Sequence, residues 1–295
     1  MVGNHECWDM VWNPVRGCTP VSEGCKNCTA ARLAAHLSLQ EKEYDGLVRW
    51  SDGLQPEWTG YVRENPHALM EPLVWSRPMS VLVGSMSDLF HPAVSDDFIS
   101  DVFLTMMTNE PHTFNVVTKY ALRMDQWFGS FSAWQVIDAT EKCGREWPLP
   151  NIRIGISAED QATLDERGTH LVSVPAASKM VVLEPLIGAV NLVEVECPVM
   201  NDQPCPLCGD GYSLGHGCTN GYYNLLREGV DWVVVGCETG PRSRTRVMKS
   251  EWVRAIRDQC EANNTPFFYK QARDAQGMRI SLPALDGRQW LERPT

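Results

Sequence analysis

Short apolar, β-branched runs alternate with amphipathic stretches along most of this sequence, and that rhythm leaves few folds open. Ser80–Met86, Thr113–Lys119, Ile152–Ser157, Lys179–Pro185, Asp231–Gly236 and Pro266–Lys270 read as strands. Between them, Asp96–Glu110, Ala121–Phe128, Asp160–Val172 and Ser250–Asn263 read as helices. In the first of these, Phe98, Ile99, Val102, Phe103 and Met106 keep helical spacing. A strand near Trp8–Trp12 and a helix over Thr29–Leu39 precede the series. Strands separated by helices pair in parallel through right-handed crossovers. About six or seven β/α units predict an α/β chain folded as a partial (β/α)6–7 barrel of TIM type, a single body over residues 1–295. Residues 195–228 are Gly- and Cys-rich, too long for a simple crossover, and are expected to form an insertion.

Polar residues close several strands: Ser85 and Asp88, Lys119, Ser157 and Glu159, Glu184, Glu238 and Lys270. In a barrel these positions meet on one face, where chemistry is done.

Composition narrows the chemistry. Eleven cysteines in 295 residues point to metal or cluster ligation in a reducing compartment. The first residues lack the basic and apolar segments of a signal peptide, so a cytoplasmic location is expected. No run of about 18 apolar residues is present, which predicts no membrane-spanning helix. A net charge of −11 disfavours a non-specific coat on nucleic acid, yet it leaves room for a nucleotide in a local basic pocket.

Seven cysteines fall into two groups. Cys18, Cys25 and Cys28 form C-x6-C-x2-C, three thiols on one loop. Three ligands leave one site of a cubane cluster open, whereas structural zinc takes four. Zinc completed by Cys7 or a histidine is the other reading of this loop. Cys197, Cys205, Cys208 and Cys218 form C-x7-C-x2-C-x9-C inside the insertion. Four thiols suit tetrahedral zinc; an auxiliary iron–sulfur cluster or free thiols are the alternatives.

The stretches WNPVRGCTPVSEGCKNC (Trp12–Cys28), VGSMSDLFH (Val83–His91), VVTK (Val116–Lys119), NIRIGISAED (Asn151–Asp160), LEPLIG (Leu183–Gly188), DWVVVGCETGP (Asp231–Pro241) and PFFYKQ (Pro266–Gln271) occur in this order. Together they resemble the radical-SAM-like proteins of phages and bacteria with an N-terminal three-cysteine motif. The first cysteine gap is six where most radical SAM enzymes have three, and Asn27 stands where an aromatic usually precedes the third cysteine.

The resemblance implies a partial barrel of the radical SAM type holding a 4Fe–4S cluster on Cys18, Cys25 and Cys28, with S-adenosylmethionine on its open iron. Ser85, Ser87, Asp88, Lys119, Ser157 and Glu159 are the candidates for cofactor binding. Glu184, Glu238 and Lys270 are the candidates for catalysis. An electron donor of flavodoxin or ferredoxin type is implied as partner. The expected activity is radical rearrangement or modification of a nucleobase or nucleotide-linked group, as in phage DNA hypermodification, with Arg242 and Arg244 holding phosphate. Three alternatives stand beside it: a non-catalytic iron–sulfur or zinc barrel acting as a partner module, or a radical enzyme on a small molecule or on a peptide.

Overall fold

A computed structural model describes residues 7–51, 55–197 and 221–294. Eight strands form one hydrogen-bonded series in chain order: β1 (Met10–Trp12), β2 (Ser80–Val83), β3 (Thr113–Thr118), β4 (Ile152–Ser157), β5 (Ser178–Leu183), β6 (Val230–Gly236), β7 (Phe267–Arg273) and β8 (Arg279–Ser281). The α-helices described are α1 (Thr29–Leu37), α2 (Asp96–Thr108), α3 (Ala121–Phe128), α4 (Phe131–Lys142), α5 (Gln161–Ser173) and α6 (Ser250–Ala262). By its internal contacts the chain divides into two compact units, and the division falls inside β4.

Unit 1 runs to Ile154 and includes Pro175–Ala177. β1, β2 and β3 pair in parallel, with Trp12 opposite Val83 and Val83 opposite Val116. Trp12, Val81, Val83, Phe114 and Val116 of these strands are buried, as are Phe98, Ile99, Val102, Phe103 and Met106 of α2. Ser95 caps α2 by accepting from the Phe98 N–H. The Phe103 ring stacks on Trp127 of α3 at 4.7 Å. Two helices, not one, follow β3: the chain turns at Gly129, and Ser130 caps α4.

Unit 2 holds Gly155–Val174 and the chain from Ser178 onward. β6 is a nearly continuous apolar run, as expected of a strand with parallel neighbours on both sides. Asp160 and Thr163 form a reciprocal capping box at the start of α5.

The sheet corrects the expected partial (β/α)6–7 barrel of the radical SAM type. Its order begins at β1 and ends at β8, and these two strands are not paired to each other. No α-helix is described between β5 and β6; there Val195–Glu196 pairs antiparallel with Tyr222–Tyr223. The last strand reverses direction, with Gln271 opposite Ser281. The reversal has a local cause. Gly277 takes φ +76° and its N–H donates to the Asp274 carbonyl, closing a tight turn that needs no crossover helix. The fold is thus mixed α/β, with an eight-stranded and mostly parallel sheet. No helix among the described residues is long and apolar enough to cross a membrane.

Candidate functional site

In unit 1, the three-cysteine segment is held from both ends. Val15–Arg16 pairs antiparallel with Arg63–Glu64. Gly17 follows at φ +90°, donates to the Met86 carbonyl at 3.1 Å, and lies so near the Tyr61 carbonyl that a Cβ would stand 2.1 Å from it. Only glycine fits there. Cys18 comes next, and Cys25 ends a short 3-10 turn over Glu23–Cys25. Cys28 is the N-cap of α1, where its sulfur accepts from the Ala31 N–H in the place usually taken by a hydroxyl or carboxylate. Cys18 and Cys28 pack against a buried cluster of Ala31, Ala34, Tyr44, Leu47, Trp58 and Met86.

Around these thiols stand the residues that end β2 and β3. Asn13 Oδ1 accepts from Ser85 Oγ at 3.2 Å and from the Met86 N–H at 2.9 Å, so the Ser85 hydroxyl is engaged inside the protein. Asp88 is buried. It accepts from Thr118 Oγ1 at 2.6 Å and from the N–H groups of Phe90 and Lys119 at 3.0 and 2.8 Å, which ties the two strand ends together. Ser87 Oγ is buried with no hydrogen-bond partner. Lys119 Nζ reaches Ser22 Oγ at 3.3 Å, and that oxygen lies 3.8 Å from Cys25 Sγ.

Four contributors were not singled out from sequence: Thr19, Ser22, His91 and Tyr120. His91 Nδ1 accepts from the Ala93 N–H, so the neutral ring carries its proton on Nε2 and donates it to Thr19 Oγ1 at 2.8 Å. Burial holds His91 below the ordinary histidine range, in keeping with that neutral ring. Tyr120 lies edge-on to His91, and its hydroxyl donates to the Thr19 carbonyl at 3.5 Å. Burial pushes the Cys18 thiol far above the ordinary range, and Asp88, Cys28 and Cys25 push the same way. Asp88, Cys25 and Cys28 thus each lie within electrostatic reach of Cys18.

In unit 2, Glu159 is fully buried and paired with Arg167 at 3.2 Å, and Arg167 also donates to the Ser157 carbonyl at 2.6 Å. Glu159 is thus held inside the protein. Ser157 Oγ donates to the Glu184 carbonyl at 3.4 Å. The structure separates the three expected catalytic residues into two groups. Glu184 accepts from Lys270 Nζ at 2.7 Å and from Gln271 Nε2 at 2.6 Å, and Gln271 also donates to the Cys237 carbonyl. Gly236 makes room for this carboxylate: a Cβ there would stand 3.0 Å from Glu184 Cδ. Glu238 is engaged instead by Arg246, through its backbone N–H and its guanidinium. Arg242 lines a cavity and Arg244 does not. Cys197 is buried, whereas Cys205, Cys208 and Cys218 lie outside the described residues.

Residues 4–294 match the family described as Protein of unknown function (DUF5131). The chain belongs to that family. No curated protein and no solved structure matches it.

Whether this DUF5131 chain suits an iron–sulfur cluster is a question of donors. Three free thiols share one pinned loop, with an orphaned hydroxyl (Ser87) and a lysine (Lys119) at the adjoining strand ends. The donor set fits by residue type, because three part-buried thiols on one loop can each lose a proton to a metal they bind. Among the described residues no three His, Cys, Asp or Glu side chains are gathered as a finished metal site.

Proposed function

We propose that this protein is a radical S-adenosylmethionine enzyme acting on a nucleobase or nucleotide-linked group. The observation that carries this reading is the three-thiol loop in unit 1, pinned by Gly17 and by the Cys28 cap and flanked by Ser87 and Lys119. Cys18, Cys25 and Cys28 would hold a 4Fe–4S cluster and leave one iron for S-adenosylmethionine. When bound, the pair supplies a 5′-deoxyadenosyl radical that takes a hydrogen atom from substrate, with the electron delivered by a flavodoxin- or ferredoxin-type donor.

The chain's own residues bind and position. Ser87 Oγ has an unused donor and acceptor for the polar end of the methionine moiety. Lys119, whose Nζ donates to the Ser22 hydroxyl, offers a cation for its carboxylate. Asp88 acts through others: its three hydrogen bonds fix the ends of β2 and β3 that carry Ser87 and Lys119. His91 and Tyr120 fix Thr19 and, through the backbone, Cys18. In unit 2, Lys270 and Gln271 hold the Glu184 side chain in one orientation through two hydrogen bonds.

The test is anaerobic reconstitution followed by reduction in the presence of S-adenosylmethionine. Brown colour, stoichiometric cluster iron and release of 5′-deoxyadenosine are expected from the wild type. Cys18→Ala, Cys25→Ala and Cys28→Ala should each lose most of the iron and all of the cleavage. Full iron retention in any one of them overturns the ligand assignment.

A further inference from the structure

Unit 2 contains a cavity of about 350 Å³ beside the Glu238–Arg246 pair. Two segments wall it: the loop after β6, with Arg242 and Arg246, and the turn between β7 and β8, with Arg273, Asp274 and Gly277. The three guanidinium groups are not equivalent. Arg246 is neutralised by the Glu238 carboxylate. Arg273 donates instead to backbone carbonyls, those of Glu238 at 3.2 Å, Gly240 at 2.9 Å and Gly277 at 2.5 Å. With Nε also donating to the Glu238 carbonyl at 3.3 Å, carbonyls take four of its five N–H groups and leave one N–H and its full positive charge in place. Arg242 is exposed, and its stem lies along Gly277, where any Cβ would stand 2.8 Å from Arg242 Nε. The glycine thereby gives the arginine its berth at the cavity wall.

The charge balance of the cavity is positive within a chain of net charge −11. Against its three guanidinium groups stand the carboxylates of Glu238 and Asp274, which leaves a net charge of about +1; Asp274 also accepts from the Met278 N–H at 2.7 Å. Cys237 also lines the cavity; burial pushes its thiol up to about 11, so it adds no negative charge near neutrality.

We propose that this cavity binds the phosphate of a mononucleotide-sized phosphomonoester, with Arg242 and Arg273 as its cationic contacts. A phosphomonoester carries a charge of about −1.5 to −2, and Arg242 and Arg273 are the two guanidinium groups of the cavity that no carboxylate pairs in the described contacts. The volume lies near the lower end of small-ligand sites, roughly 300–1,000 Å³, and is far too small for a duplex. The proposal names a substrate class for the radical chemistry and rests on that reading for the word substrate. Anion binding itself requires no iron.

The test is titration calorimetry on the full-length protein, with and without reconstituted iron, using inorganic phosphate, ribose 5-phosphate, thymidine 5′-monophosphate and uncharged thymidine. The three phosphates should bind and thymidine should not. Equal affinities assign the site to the phosphate group alone, and tighter binding of the nucleotide assigns contacts to its base as well. Arg242→Ala should weaken binding about tenfold, the worth of one charge-assisted hydrogen bond. Arg242→Glu should abolish it, whereas Arg254→Ala, which removes a charge paired with Asp286 outside the cavity, should leave it unchanged. The proposal is overturned if no phosphate binds, or if Arg242→Glu binds as the wild type does. Iron content and S-adenosylmethionine cleavage, measured on the same preparations, report separately on the radical reading.

Discussion

A single buried carboxyl shows how much of this protein's chemistry depends on where a residue sits. Burial raises Asp88 above its ordinary value of 3.8, against the opposing pull of hydrogen bonds from Thr118, Lys119 and Phe90. A carboxyl raised on folding holds its proton better in the folded chain than in the unfolded one. Its contribution to stability is full below 3.8 and is lost as pH rises through the folded value. Iron-free wild type should therefore lose stability relative to Asp88→Asn as pH rises above 3.8 in urea titrations. A pH-independent difference between the two would count against that account. Glu159 makes a different case, because its ion pair with Arg167 is almost wholly buried. Arg167→Met strands that carboxylate and should cost about 3–5 kcal/mol in urea unfolding. A cost below about 1 kcal/mol would mean the pair is not what holds Glu159 in place.

At the scale of elements, the strands and helices read from apolar spacing recur at nearly the same positions, because their inward residues are the ones that bury. β6 is all but continuous in its apolar run, and α2 keeps its expected inward face. What the spacing did not reveal was α4, whose start depends on a cap at Ser130 just two residues after α3 ends. The cysteine segment is an element in its own right, and Gly17 governs it. Gly17→Ala forces a Cβ into the Tyr61 carbonyl at a positive φ, and the backbone pairing of this segment must yield. The expected result is a lower melting temperature together with reduced cluster iron after reconstitution. A variant that keeps both would show that the Gly17–Tyr61 approach does not set the loop.

For the whole molecule, the decisive features are the end of the sheet and the distribution of charge. The short, exposed β8 runs antiparallel and forms the last strand of the series, so the alternation of strand and helix stops before it. The turn that makes this reversal also supplies Arg273, Asp274 and Gly277 to the cavity of unit 2. One local departure from the β/α rhythm thus removes the expected architecture and creates a positively charged recess in an acidic chain.

The sequence by itself determined the class of the fold and the chemical character of the first loop. Periodicity is a local property, and three cysteines within eleven residues must share a loop wherever the chain goes. It also marked Glu184 and Lys270, which the structure joins at 2.7 Å. Only the tertiary structure decided which polar residues remain available. Ser85, Asp88, Glu159 and Glu238 all end in internal hydrogen bonds or ion pairs, while Ser87 does not. Those partners come from residues far along the chain, such as Asn13 for Ser85 and Thr118 for Asp88. A sequence pattern records which side chains can form hydrogen bonds, but the partner that satisfies each one is set by packing.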